Sequence, residues 1–303
     1  MVVGWFSFLD GEATAGDLLA LERVRAVLEE TGVAHEVAWS PRFRPGRLAL
    51  EDARPEDYAA LVFVCGPVHG PRLAELHERF AHCRRVAVGV SVIDAGDPAV
   101  TGFHKVLARD GGGRPEPARD LSLRAPLDGG AEGAPPVVGV VLTRGQREYG
   151  GRRLHESVAG AVRDWLAGVD CAPVVLESRL DAEDGLLCGS AEQFMAVLPR
   201  LDAVVTDRLH GLVLALRAGV PAVAVDPVRG GAKVTAQARA CGWPALVPAE
   251  EVAPDRLSGW LSWCLNEGRE AAGERRNALV GAPDPADALP AALGVDGEPQ
   301  TFA

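Results

Sequence analysis

Arg208 and His210 are the residues whose type and spacing most clearly suggest chemistry; they sit two apart in the run Thr206-Asp207-Arg208-Leu209-His210. An apolar run, Ala203–Thr206, precedes them, and an apolar-periodic stretch, Leu209–Ala218, follows. This pattern predicts a buried strand opening into a helix, with both side chains at the strand's carboxyl end. Backbone N–H groups and the helix dipole add positive potential at such a point. An arginine there can grip a carboxylate or phosphate through two parallel bonds, and histidine is the usual general acid or base near neutral pH. Thr206, the last residue of the strand, is a candidate secondary contact. The residues alone leave a second reading open: Asp207 caps the helix and pairs with Arg208, while His210 is a satisfied, half-buried side chain.

Lys233 is one of only two lysines among 31 basic residues. It follows the turn Arg229-Gly230-Gly231 and starts another predicted helix, Lys233–Ala240, where a compact ammonium suits a phosphate or carboxylate. A solvated surface lysine is the other reading. His69 follows a strand and a Gly-Pro turn, and stands open between a ligand crevice and plain surface. Arg144 lies just past the apolar run Val137–Leu142 and is a further candidate contact. His77, His82 and Cys83 read as surface or core residues of one helix, and Trp260 and Trp263 as packing residues. No G-x-G-x-x-G, Walker A, H-E-x-x-H or G-x-S-x-G pattern occurs, and no cluster calls for a metal, so neither cofactor nor metal is expected.

The elements that must position these residues alternate. Strand-like runs at Val2–Phe8, Val33–Trp39, Leu61–Cys65 and Val86–Ile93 are separated by helical patterns from Asp17 to before Gly32 and through Leu73, Leu76 and Phe80. The stretch 111–136 is rich in Gly and Pro and reads as a linker. The alternation restarts with Val137–Leu142, a helix from about Arg152 to Ala167, and strands at Pro173–Leu176, Ala203–Thr206, Ala222–Val225 and near Ala245–Val247. Further helices are expected at Ala191–Leu198, Leu209–Ala218, Lys233–Ala240 and Pro254–Asn277. Strands alternating with helices imply βαβ units and mostly parallel sheets. The expected fold is therefore α/β with two Rossmann-like domains, 1–128 and 129–303, facing across a cleft. Strand ends put the active site in that cleft.

Composition sets the outer bounds. The chain has 303 residues, enough for two domains, with 48% hydrophobic and 24% charged residues. Its formal net charge of −11 argues against nucleic acid or an anionic membrane as a general partner. No apolar run is long enough to span a bilayer, and the first residues lack the basic region of a signal peptide. The six cysteines, at 65, 83, 171, 188, 241 and 264, form no C-x-x-C pair, which excludes zinc-ribbon and disulfide-framework readings. A cytoplasmic location is expected. The preference for Arg over Lys, with abundant Ala, Gly and Pro, suggests a high-GC bacterial genome.

The segment around Arg208 resembles the polysaccharide pyruvyl transferase family. That family has a strand, Ser/Asp-Arg-Leu-His, and a helix with Ala-x-x-x-Gly-Val-Pro, then a strand, a loop ending in Lys and a helix running to Gly. Here these are Asp207-Arg208-Leu209-His210, Ala215 through Gly219-Val220-Pro221, Ala222–Val225, Lys233 and Gly242. Gly16-Asp17 before the first long helix resembles the family's Gly-Asp at its first strand–helix turn, and Thr143-Arg144 sits where its second domain starts. The chain departs at Cys65-Gly66-Pro67-Val68-His69-Gly70, where the family has a Gly-rich turn. It departs also at Asp226–Gly231, which lacks the usual aromatics, and at Leu9–Ala15, which lacks an Asn. By the resemblance, these positions would shape the acceptor side.

What the resemblance implies is a GT-B-like layout, with the acceptor on the N-terminal domain and the donor on the C-terminal one. It implies transfer of a pyruvyl group from phosphoenolpyruvate onto hydroxyls of a sugar or related acceptor, giving a ketal. His210 would deliver the proton, Arg208 and Lys233 would hold the donor's anionic groups, and Gly16, Asp17, Arg144, Thr206 and His69 would line the site. Two rival functions stand beside it: a GT-B glycosyltransferase using a nucleotide-sugar, and a repurposed, non-catalytic anion-binding protein.

Overall fold

Two all-parallel sheets organise the chain, and most of their strands are the β-branched runs seen in the sequence. The computed structural model describes residues 1–10, 13–113, 116–126, 133–143 and 148–294. The first sheet has the order β1-β2-β3-β4, from Val2–Val3, Ala60–Val64, Arg84–Val92 and Lys105–Gly111. The second has the order β6-β5-β7-β8-β9, from β5 Val137–Val141, β6 Ala172–Val175, β7 Ala203–Thr206, β8 Ala222–Asp226 and β9 Leu246–Pro248. Contacts divide the chain into units Met1–Glu132 and Gly133–Ala303, so each sheet has its own unit and its own core. Each unit is thus a Rossmann-like α/β domain.

In the first unit the helices are α1 Ala15–Glu30, α2 Pro71–Arg79 and the short α3 Pro98–Thr101. Two expected strands are corrected. Val2–Phe8 is a strand for only two residues before a 3-10 turn at Trp5–Ser7, where the Ser7 hydroxyl donates to Ala38 O and accepts from Gly4 N–H. Val33–Trp39 pairs only through single bridges, Val2 with Val37 and Trp39 with Ala49. The strand β4 carries no apolar pattern in the sequence, because its charges, Lys105, Arg109 and Asp110, interrupt it. The stretch expected as a linker also holds structure. Leu121, in a 3-10 turn, packs on the cluster beneath α1, and Asp120 pairs with Arg109 at 2.6 Å.

The second unit carries α4 His155–Leu166, α5 Ala191–Val197, α6 Leu209–Arg217, α7 Lys233–Ala240, α8 Pro254–Leu265, α9 Glu267–Leu279 and α10 Leu289–Ala292. The strands β7 and β8 are buried along their whole length, which is why they read as unbroken apolar runs. The expected helix Pro254–Asn277 is two helices. They break at Asn266, whose side chain donates to Ser262 O, and Gly268 lies so close to Trp263 that a Cβ would sit 3.1 Å from it. Trp263 in turn meets Trp243 and Trp260 edge to face, so the tryptophans pack this corner as expected. Among the described residues no helix is long and apolar enough to cross a membrane.

Candidate functional site at the carboxyl edge of the second sheet

From β5 the chain crosses to β6 on one side, and β7 then lies on β5's other side. Crossovers leaving to opposite sides open a crevice beyond the carboxyl ends of the two strands, and open α/β sheets bind ligands there. Thr143 and Asp207 meet at this switch point. The Thr143 N–H donates to Asp207 Oδ1 at 2.6 Å, and the Asp207 N–H donates to Val141 O at 3.3 Å. Asp207 is 1% exposed and its Oδ2 has no partner. Burial pushes this carboxyl up to about 6, against the opposing pull of the Thr143 bonds and the Arg208 charge.

Asp207 therefore does not cap α6 or pair with Arg208, as the alternative sequence reading had it. Arg208 is itself the residue before the helix, in extended conformation (φ −105°, ψ 136°), and no side chain caps the first turn. An uncapped helix start is a favourable place for an anion. The Arg208 side chain reaches back toward the end of β6. Its Nη1 donates to Ser178 Oγ at 3.0 Å and lies 3.2 Å from Glu177 Oε1, while its Nε is buried without a partner. His210, one residue into α6, is exposed, so its imidazole is free to meet a ligand and the half-buried reading fails.

Thr206 is corrected from contact to support. Its side chain is fully buried; the hydroxyl donates to Val141 O at 2.8 Å and accepts from Arg208 N–H at 3.0 Å. The helix approaches this threonine so closely that a Cβ at Gly211 would clash with Thr206 Oγ1. Glycine after His210 is thus what lets α6 start against the sheet.

Lys233 begins α7, after the next strand along the same edge. The backbone there is already satisfied by a carboxylate: Asp226, fully buried, accepts from Val228, Ala232 and Thr235 N–H at 3.0, 2.7 and 2.8 Å. The Lys233 side chain instead lies 3.6 Å from Glu148 Oε1 and 5.8 Å from the Tyr149 ring centre. Tyr149 stacks on His155, the buried first residue of α4, with ring centres 6.2 Å apart. Burial, then the charge of Arg153, lowers the His155 pKa. Glu177, Ser178, Asp226, Tyr149 and His155 were not singled out from the sequence. Only the position of Asp226 and Glu177 just at strand ends could have flagged them.

A cavity of about 730 Å³ adjoins Arg208, between the ends of β5 and β6, α4, and the segment after β6. Thr143, Glu177 and Arg208 are among its walls. Arg144 lies outside the described residues.

Gly16, Asp17 and His69 belong to the first unit. The Asp17 carboxylate is committed to α1, accepting from the Thr14 N–H at 2.9 Å and the Thr14 hydroxyl at 2.8 Å in a capping box. Cys65, in left-handed conformation (φ 62°), has its thiol pushed up to about 11 by burial and by its bond to Asp17. His69 is exposed, with its ring 5.9 Å from that of Trp5.

Solved structures similar to the chain include the spinosyn rhamnosyltransferase SpnG, at 12% identity and TM-score 0.37 over 96% of this chain and 99% of that one. The calicheamicin glycosyltransferase CalG4 is 15% identical, with TM-score 0.35 over 97% of each chain. The glycosyltransferase SnogD from Streptomyces nogalater is 15% identical, with TM-score 0.28 over 97% of this chain and 98% of that one. No curated protein matches the chain in sequence. The family model of polysaccharide pyruvyl transferase matches residues 173–227, from β6 through the end of β8. This stretch contains Glu177, Asp207, Arg208 and His210, so in its central strands and the turn that carries Arg208 the chain resembles the polysaccharide pyruvyl transferases.

Proposed function

We propose that the protein is a transferase that moves a pyruvyl group from phosphoenolpyruvate onto two hydroxyls of a sugar or related acceptor. The observation that carries this reading is Arg208 beside an uncapped helix start, with an exposed His210 two residues on, inside the matched stretch. The donor needs a cationic grip and a proton. Protonation of its methylene carbon by His210 makes the adjacent carbon electrophilic, and one acceptor hydroxyl adds there and loses its proton. A second hydroxyl then displaces inorganic phosphate, closing the ketal. Arg208 would hold the donor's carboxylate or phosphate and offset the charge that develops as phosphate leaves. Lys233 would assist from the neighbouring helix once released from Glu148.

Thermal shift and calorimetry test the reading. Phosphoenolpyruvate should stabilise the protein by mass action, nucleotide-sugars should not, and Arg208→Ala should remove the effect. Stabilisation by a nucleotide-sugar and none by phosphoenolpyruvate would replace this reading with glycosyl transfer.

A further inference from the structure

The cavity beside Arg208 is much larger than a three-carbon donor requires. Its volume of about 730 Å³ falls in the range that encloses a whole drug-sized ligand. Val140 and Leu142 from the β5 end, and Val175 and Leu176 from the β6 end, form aliphatic walls that Leu187 extends. Among the described residues that line it none is aromatic, so it offers no stacking platform for a nucleobase. Two of its apolar residues face water: Leu186 is 94% exposed and Val175 80%. A partly open aliphatic surface next to an anion anchor suits a ligand with an aliphatic body and polar groups at one end. The charges around it nearly balance, with Arg163, Arg179 and Arg208 against Glu177 and Asp184, which favours a neutral body over an ionic one.

We propose that this cavity binds the aliphatic body of a hydroxylated acceptor and presents its hydroxyls at the Arg208 edge; as an acceptor site, it rests on the transferase reading above. The acceptor class is then a neutral alkyl or alicyclic polyol, such as an alkyl glycoside, and not a bare sugar. Part of acceptor recognition falls on the second unit, whereas the family resemblance implies the first.

Cys188 lines the cavity and reports on its occupancy, with the half-buried Cys171 as an internal control. The full chain is alkylated with iodoacetamide, below micelle-forming concentrations, in the presence of n-octyl β-D-glucopyranoside or methyl β-D-glucopyranoside. Each buried methylene strengthens binding about fourfold. Octyl glucoside should therefore slow Cys188 alkylation saturably and leave Cys171 unchanged, and methyl glucoside at the same concentration should do neither. Leu187→Trp, which fills the cavity, should abolish the protection. Leu186→Asp, at a site too exposed to affect folding, should shift it to about tenfold higher probe concentration. Equal Cys188 rates with and without octyl glucoside, or undiminished protection in Leu186→Asp, would overturn the proposal. No donor or turnover enters the measurement, so its failure leaves the phosphoenolpyruvate reading standing, and failed donor binding leaves the subsite standing.

Discussion

Arg208 Nη1 lies 3.2 Å from Glu177 Oε1, and each of the two side chains is 21% exposed. The proposed anion anchor is thus already engaged by a carboxylate of its own chain, contributed by the residue two past the end of β6. Ser178 takes the same Nη1 at 3.0 Å. A donor carboxylate or phosphate has to compete with Glu177 for the guanidinium, and the half-covered setting makes that competition stronger than it would be in open water.

Glu177→Gln should therefore tighten phosphoenolpyruvate binding. The amide keeps a hydrogen bond to orient Arg208 and removes the competing charge, so the dissociation constant should fall by about three- to tenfold. Isothermal titration at fixed ionic strength measures it. Weaker binding in the variant would mean that Glu177 positions Arg208 instead of competing for it.

His210→Gln separates binding from chemistry. The side chain is exposed, so the fold should be untouched, and donor affinity should stay within a few-fold of wild type. Turnover should drop by about 10²–10⁴, the scale of a lost general acid. A variant that turns over its acceptor at the wild-type rate would remove His210 from the mechanism.

Asp207 imposes a pH dependence on stability. Its carboxyl is raised from the ordinary 3.8 to about 6 in the fold, so the folded state holds this proton over a range where the unfolded chain has released it. Its contribution is complete below about pH 4, is lost as pH rises to about 6, and stays lost above; a shift of this size corresponds to about 3 kcal/mol. Asp207→Asn keeps an acceptor for the Thr143 N–H and cannot ionise. Between pH 4 and pH 7 its melting temperature should rise relative to wild type, and a constant difference across that range would contradict the assignment.

Asp226 and Lys233 should divide cleanly. Asp226→Ala leaves three N–H groups of the 228–235 turn without their buried acceptor and should cost about 2–5 kcal/mol by chemical denaturation. Lys233→Ala breaks a loose, exposed pair with Glu148 and should change stability by less than about 1 kcal/mol. Its effect should appear in donor affinity. Loss of stability in Lys233→Ala comparable to that in Asp226→Ala would make the lysine structural.

The sequence by itself determined the elements whose pattern is local. Ala203–Thr206 was legible because a strand buried on both faces reads as a nearly continuous apolar run, and Lys233–Ala240 because the preceding glycines mark its start. The placement of Arg208 and His210 at a strand end was legible for the same reason, since a strand–helix junction fixes both positions within a few residues. Signals that depend on half-buried or mixed positions were lost. The charges of β4 hid a seven-residue strand, and Asn266 split a helix whose periodicity runs straight through.

Only the tertiary structure decided what surrounds those two side chains. Glu177 stands 31 positions before Arg208 and Thr143 stands 64 before Asp207; strand order alone, with β5 between β6 and β7, brings each pair together. Thr206 looked like a contact because it ends a strand, but side chains alternate between faces and its hydroxyl turned inward to the β5 backbone. The cavity follows the same rule, its walls coming from two strands, a helix and a later loop. Local propensity specifies where a strand ends, and the physical reason it stops there is that register and crossover direction are settled by burying both faces of the whole sheet at once.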